Sequence, residues 1–357
     1  MKNCLGIEIG HYRVKIAYME RGQLKKYISE RIDSAGYTDM KSYAEFIQDI
    51  LREHDIHCRS VVFVLGQDDT YVKRYHLPLM TVDQLKLNLP YEFQDYIGDQ
   101  LDAYQFDYGV IERTEDCLDL LAAACKKELC QQFQKLAKMA RLKLVGLVPA
   151  VVGLERILEQ ARKTQKSETP AAETPAEELP GQKKDTQKKN VQTEENKQEA
   201  AKKDFAVLDL GTKALRIHFF KQGVYDITRT MEPGCEEIEQ FRRGDRAKME
   251  ELDLEAEDAF WTAKSEEVID KVLEERYRTI AVQAMRVLNF YSFNNANNTI
   301  DTLYYCGGGA RYKALINNIS DTLDIPVKSI GTLLPDISEE TMPDWIDSPQ
   351  TNCVMLA

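Results

Sequence analysis

The sequence predicts an α/β protein made of two related halves, and three observations carry that expectation. First, the stretch IEIGHYRVKIAY (Ile7–Tyr18) returns as LDLGTKALRIHF (Leu208–Phe219). The two align without gaps: Glu8 meets Asp209, Gly10 meets Gly211, Val14 meets Leu215, Lys15 meets Arg216 and Ile16 meets Ile217. Second, residues 163–203 have a composition of their own, without an aromatic residue and with Lys and Glu interleaved. Such a segment buries too little apolar surface to offset its ordering entropy, so it reads as a disordered linker between the halves. Third, apolar strands alternate with amphipathic helices on both sides of it.

Each repeat copy reads as strand, tight glycine turn, strand. In the first half, LKKYISERID continues as a third strand and YAEFIQDILRE (Tyr43–Glu53) has helical spacing. SVVFVLG (Ser60–Gly66) is a buried strand and YVKRYHLPLM an alternating one. TVDQLKLNLPYEFQDYI opens with Thr81 and Gln84 at capping-box spacing. AYQFDYGVIE and CLDLLAAAC read as strands. KKELCQQFQKLAKMARL follows as a helix with Leu129, Phe133, Leu136 and Ala140 on one face, and VGLVPAVVGLERILEQ as a strand leading into a helix.

The second half repeats the plan. GVYDITRTM is its third strand, and an acidic helical region covers 236–275. A long helix follows, expected to carry Val268, Val272, Ile280, Val287 and Leu288 inward. IDTLYYC is a strand, GGGARYKALINNI a glycine turn into a helix, and PVKSI a last strand.

Bulk properties narrow the function. A chain of 357 residues, 43% hydrophobic, can give each half its own core. A net charge of −12 argues against nonspecific nucleic-acid binding and against direct docking on anionic lipid. Eight cysteines without a CxxC pair suggest reduced thiols in a cytoplasmic protein. MKNCLGIEIG lacks the apolar core of a signal peptide, and the longest apolar run, Leu144–Leu154, is broken by Pro149. Any membrane role is therefore expected to pass through a partner.

The glycine turns suggest chemistry. A carboxylate at a strand end with Gly two positions on can hold a hydrated Mg²⁺ beside an anion cradled by backbone N–H groups. Gly307-Gly308-Gly309-Ala310, at a strand-to-helix junction, allows a flat base or ribose to approach the backbone. Each signal alone also fits an ordinary turn; their order along the chain gives them weight.

That order resembles the actin-like ATPases, the superfamily of actin, Hsp70, sugar kinases and FtsA. Within it the chain resembles the PilM family of type IV pilus assembly over nearly everything outside the linker. LGIEIGHYRVKIAYM looks like the phosphate-1 hairpin, FAVLDLGTKALRIHFFKQGVYDITRTMEPG like phosphate-2 with its following hairpin, and IDTLYYCGGGARYKALINNISDTLDIPV like the adenosine motif. VVFVLGQDDTYVKRYHLPLMTVDQLKLNLPYEFQDYI resembles the inserted subdomain that sets PilM and FtsA apart from actin.

The resemblance implies a two-domain, ribonuclease H-like α/β fold. Domain I would be 1–162 with an inserted subdomain near 33–140. Domain II would be 204–357, with an upper subdomain near 234–298 and a C-terminal segment returning to domain I. ATP and Mg²⁺ would be the cofactors. Gly10, His11, Tyr12, Lys15, Gly211, Thr212 and Gly234 would lie at the phosphates, Gly307, Gly308, Gly309 and Ala310 at the adenosine, and Glu8 and Asp209 would hold Mg²⁺ through water. The implied function is a cytoplasmic scaffold at the inner face of the membrane, gripping the short cytoplasmic tail of a PilN-like single-pass protein. Contact with the pilus motor ATPase and self-association are further implications.

The chain departs from the family where Glu8 stands for Asp, where His11 and Tyr12 stand for small hydroxyl residues, and where Cys235 follows Gly234. No catalytic base is apparent, so turnover is expected to be weak at most. An FtsA-like division filament protein, an active ATPase or kinase of the same fold, and a nucleotide-free adaptor stay open as alternatives. The ending DSPQTNCVMLA is not a basic amphipathic helix of the kind that tethers FtsA. His54, His57 and Cys58 read as a surface turn, Glu250–Glu257 as a solvated helix face, and Asn289–Asn298 as a helix end with its loop. Leu85, Leu89, Tyr91 and Phe93 read mainly as core, with an exposed strip left to line a peptide groove.

Overall fold

The computed structural model describes residues 3–32, 39–155, 157, 204–243, 263–295, 300–333 and 343–349. The expected linker, the acidic run Glu250–Glu257 and all but the start of the terminal SPQTNCVMLA lie outside them.

The repeat in the sequence is a repeat in the topology. β1 (Cys4–Ile9), β2 (Arg13–Glu20), β3 (Gln23–Arg31), β4 (Ser60–Leu65) and β8 (Lys143–Pro149) form a sheet ordered β3-β2-β1-β4-β8. β9 (Asp204–Leu210), β10 (Leu215–Lys221), β11 (Val224–Met231), β12 (Ile300–Cys306) and β13 (Val327–Ser329) form a second, ordered β11-β10-β9-β12-β13. In both, the opening hairpin is antiparallel and the later strands join in parallel. Even the second turns match. Arg21-Gly22 and Gln222-Gly223 both take positive φ, the turn whose twist suits a two-residue hairpin.

Helices cover the sheets where the apolar periodicity demands. α1 (Met40–Glu53) begins at Asp39, whose carboxylate accepts from the Ser42 N–H at 2.8 Å. It buries Ala44, Ile47, Ile50 and Leu51 against Leu5, Ile7, Val14 and Ile16 of the first sheet. α4 (Lys127–Met139) adds Leu136 and Ala137 to that core.

In the second half, α6 (Glu236–Arg243), α7 (Ala263–Asn294) and α8 (Lys313–Thr322) cover the face made by Ala206, Leu208, Leu215, Ile217 and Phe219. The buried stripe of α7 is Ile269, Leu273, Tyr277, Ile280, Ala284, Leu288 and Tyr291, spaced by fours and threes. This corrects the expected inward set. Ile280 and Leu288 are buried, Val272 and Val287 flank the stripe, and Ile269 takes the core place assigned to Val268.

A third sheet, β5-β7-β6, consists of β5 (Thr70–Pro78), β6 (Tyr104–Arg113) and β7 (Cys117–Lys126). α2 (Val82–Glu92) and α3 (Gln94–Ile97) close one face of it, burying Leu85, Leu89, Phe93 and Ile97. The capping box holds: the Thr81 N–H donates to Gln84 Oε1 at 2.8 Å and the Gln84 N–H to Thr81 Oγ1 at 3.3 Å. The span expected for an inserted subdomain, 33–140, also takes in α1 and α4. Their apolar faces belong to the first sheet, so the separate small sheet runs only from Thr70 to Lys126.

The halves meet in a shared apolar joint. A helix over 150–155, α5, places Val151 and Leu154 against Phe205, Val207, Phe220 and Tyr225 on the back of the second sheet. Val72 and Leu121 of the small sheet and Trp345 and Ile346 near the C-terminus complete it.

Candidate functional site

The two hairpin turns face each other across the joint. Gly10 N–H donates to the Arg13 carbonyl at 2.9 Å, which tightens the first turn. Beside it, Glu8 and Lys15 sit opposite in register and pair at 2.8 Å. Their counterparts Asp209 and Arg216 are likewise register partners. Burial pushes the Asp209 carboxyl up to about 6, opposed by the charges of Arg216 and Lys15 and reinforced by that of Glu8. Asp209 therefore feels both members of the opposite hairpin's pair, and the four groups form a single charge-balanced cluster.

Contacts between the halves lock this arrangement. The Tyr12 hydroxyl donates to Glu236, at the start of α6. Arg216 reaches across to Asp68, in the turn between β4 and β5, at 2.7 Å. The buried Ser348 donates its hydroxyl to Glu8 Oε2. Next to it, Gly307 N–H donates to the Ile346 carbonyl at 2.8 Å, and Arg311 pairs with Asp344 at 2.9 Å. The segment 343–349 thus straps the glycine turn of the second half to the carboxylate of the first.

The glycines are required by the chain's own packing. At Gly307, with φ +93, a Cβ would stand 2.5 Å from Asp209 Oδ1 and 2.7 Å from Leu210 N. At Gly309 it would stand 2.5 Å from Cys235 Sγ, and at Gly211 2.5 Å from the Ala214 carbonyl oxygen. At Gly234 it would strike the Thr212 and Gly211 carbonyl oxygens. The segment around Gly234 is zipped to the second turn: Gly234 N–H donates to Lys213 O at 3.0 Å, Cys235 N–H to Gly211 O at 3.0 Å and Glu236 N–H to Thr212 O at 2.9 Å. Gly308, by contrast, faces open space, and the Ala310 N–H turns back to the Gly307 carbonyl at 3.0 Å.

Of the residues singled out from the sequence, Glu8, Lys15 and Asp209 share the cluster with Arg216, and Gly211, Thr212, Gly234, Gly307, Gly309 and Ala310 form the walls around it. His11 stands exposed, edge-on to Tyr12 at 4.6 Å between ring centroids. Three participants were missed: Asp68, Glu236 and Ser348. Each acts across a long sequence separation, and nothing local marks it. Arg216 could have been found from its alignment with Lys15.

In this arrangement the groups expected at Mg-ATP are engaged with one another and with the C-terminal segment. Lys15 and Arg216, the cations that would meet phosphates, are engaged by Glu8 and Asp68, and Glu8 already binds Lys15 and Ser348. The Gly307 N–H is spent on Ile346. Among the described residues, no three His, Cys, Asp or Glu side chains gather into a metal-holding group.

A second feature lies on the small sheet. Of the expected stripe, Leu85, Leu89 and Phe93 are core, while Tyr91 is 64% exposed. Leu87, one turn before it on the outer face of α2, is 72% exposed. Val82, Leu79, Tyr71 and Tyr96 are also exposed, and Lys73 Nζ sits 4.2 Å over the Tyr96 ring. The spacing 85, 89, 93 fills the inward positions of α2, which leaves Leu87 outside; that signal was legible in the sequence.

No protein-family model matches the chain, and no curated protein matches it. Solved structures do. One is the PilM-PilN type IV pilus biogenesis complex, with a TM-score of 0.69 at 16% identity over 99% of this chain and 98% of that one. The chain has the actin-like ATPase fold. The ethanolamine utilization protein EutJ from Carboxydothermus hydrogenoformans aligns with a TM-score of 0.50 at 13% identity, over 99% of this chain and 90% of that one. Matched hairpins, one per half and closing on a shared cluster, accord with this fold. Among the described residues, no helix is long and apolar enough to cross a membrane.

Proposed function

We propose that the chain is an actin-fold scaffold of a type IV pilus or pseudopilus assembly machine, acting at the inner face of the membrane by gripping the short cytoplasmic tail of a PilN-like single-pass protein. The observation that carries this reading is the apolar strip on the small sheet. Leu87 and Tyr91 stand in water on a helix whose other face is fully committed to the core. An apolar strip rimmed by polar groups is what a short amphipathic peptide needs for docking. The fold shared with a PilM-PilN complex gives the peptide its proposed source.

The charge cluster between the halves favours a companion reading. Its cations and carboxylates neutralise one another, so the two halves form a fixed joint. The chain then works as an adaptor whose shape is held by its own side chains, with Mg-ATP bound weakly and without appreciable turnover.

A fluorescein-labelled peptide of the cytoplasmic tail of a PilN-like single-pass membrane protein from the same organism tests the scaffold reading by anisotropy. Leu87→Asp and Tyr91→Asp are expected to weaken binding at least about tenfold each, as for central apolar anchors. Absence of binding to the unaltered chain, or equal binding by both variants, overturns it.

A further inference from the structure

Cys125 is the next-to-last residue of β7, and Cys130 lies in the first turn of α4. The strand passes directly into the helix between them, at Lys126 and Lys127, and their sulfurs stand 3.7 Å apart. Both side chains are buried, packed with Leu65 of β4 and flanked by Leu129, Phe133 and Leu147. Neither residue takes part in the charge cluster or the apolar strip. A disulfide needs sulfurs about 2.05 Å apart, a gap that side-chain rotation with a slight shift of the α4 start can close.

We propose that Cys125 and Cys130 are a reversible dithiol site that closes to an intramolecular disulfide when the chain meets a low-molecular-weight disulfide. When a local opening of the α4 start exposes it, Cys130 loses its proton to solvent and attacks one sulfur of the oxidant, whose S–S bond breaks to release one small thiol. Cys125 then loses its proton and attacks the Cys130 sulfur of the mixed disulfide, expelling the second small thiol. Two electrons and two protons pass from the pair to the oxidant.

Burial, and then the neighbouring Cys130, push the Cys125 thiol up to about 12, so its thiolate is scarce and closure is slow at neutral pH. The position gives the bond a consequence. β7 is the central strand of the small sheet, and α4 packs on the first five-stranded sheet. The disulfide would staple the sheet that carries the apolar strip to the body of the first half.

The test oxidises the full-length chain with oxidised glutathione at mildly alkaline pH, blocks remaining thiols, and digests with trypsin without reduction. Cleavage after Lys126 and Lys127 separates the two cysteines, so the bond joins peptide 114–126 to peptide 128–135. The expected result is this linkage as the dominant one among the eight cysteines, reversed by dithiothreitol, lost in Cys130→Ser and retained in Cys117→Ser, which removes the other thiol of the first peptide. Glutathione adducts on the two cysteines singly, linkage through Cys117, or no linkage under conditions that cross-link the urea-unfolded chain would each overturn the proposal.

Discussion

Asp209 is held between opposing forces at the level of a single side chain. Burial disfavours its charge, while Arg216 and Lys15 favour it. Its folded value, about 6, lies above the ordinary 3.8, so the folded state binds its proton more tightly. The stability it lends is full below about 3.8 and is lost as pH rises through about 6. Between about pH 5 and about pH 7.5, urea titration should show the unaltered chain losing about 1 kcal/mol more than Asp209→Asn. An identical pH slope in both proteins would remove Asp209 from the account. Gly307 is constrained for a different reason. Its positive φ and its contact with Asp209 and Leu210 leave no place for a methyl group. Gly307→Ala should cost about 2–4 kcal/mol in urea unfolding, whether or not any nucleotide is present.

Elements are set by how each face of a strand or helix is spent. β5 and β7 pair in antiparallel register and bury apolar residues toward α2 and α3. On the opposite side Arg74 grips the buried Asp119 through Nε at 2.9 Å and again through a terminal nitrogen. That pair orders the small sheet, and its worth lies in mutual satisfaction. Asp119→Ala leaves a part-buried guanidinium without its carboxylate and should cost about 2–3 kcal/mol. The double variant Arg74→Met with Asp119→Leu should recover most of the loss, as measured by thermal unfolding. If the single change costs no more than the double, the pair is not what holds these strands. α2 obeys the same logic with its inner face in the core and Leu87 and Tyr91 outside.

The molecule as a whole is closed by contacts no single half contains: Tyr12 with Glu236, Arg216 with Asp68, and Ser348 with Glu8. Phosphates entering between the hairpins would have to displace two ion pairs and the terminal strap. Millimolar Mg-ATP should therefore raise the melting temperature by no more than about 1 °C, the effect expected when ligand concentration only matches the dissociation constant. A rise of about 5 °C or more would show that the strap yields readily to nucleotide.

The sequence by itself determined the duplicated architecture. Apolar periodicity and the gapless match of Glu8-x-Gly10 to Asp209-x-Gly211 depend on local residue order, and they specified the opening hairpin and third strand of each half, the Thr81 capping box and the inward faces of α2 and α4. It also marked Glu8, Lys15 and Asp209, which the fold brings into one cluster. Which groups those residues contact was decided by tertiary structure alone. Glu8 and Lys15 are register neighbours and could be paired from the hairpin, but Asp68, Glu236 and Ser348 come from distant elements. Ion pairs and straps form wherever folding brings charges together, and one-dimensional spacing carries no record of that. The thiols of Cys125 and Cys130, five residues apart, meet because β7 passes directly into α4, a junction whose geometry the spacing alone does not give.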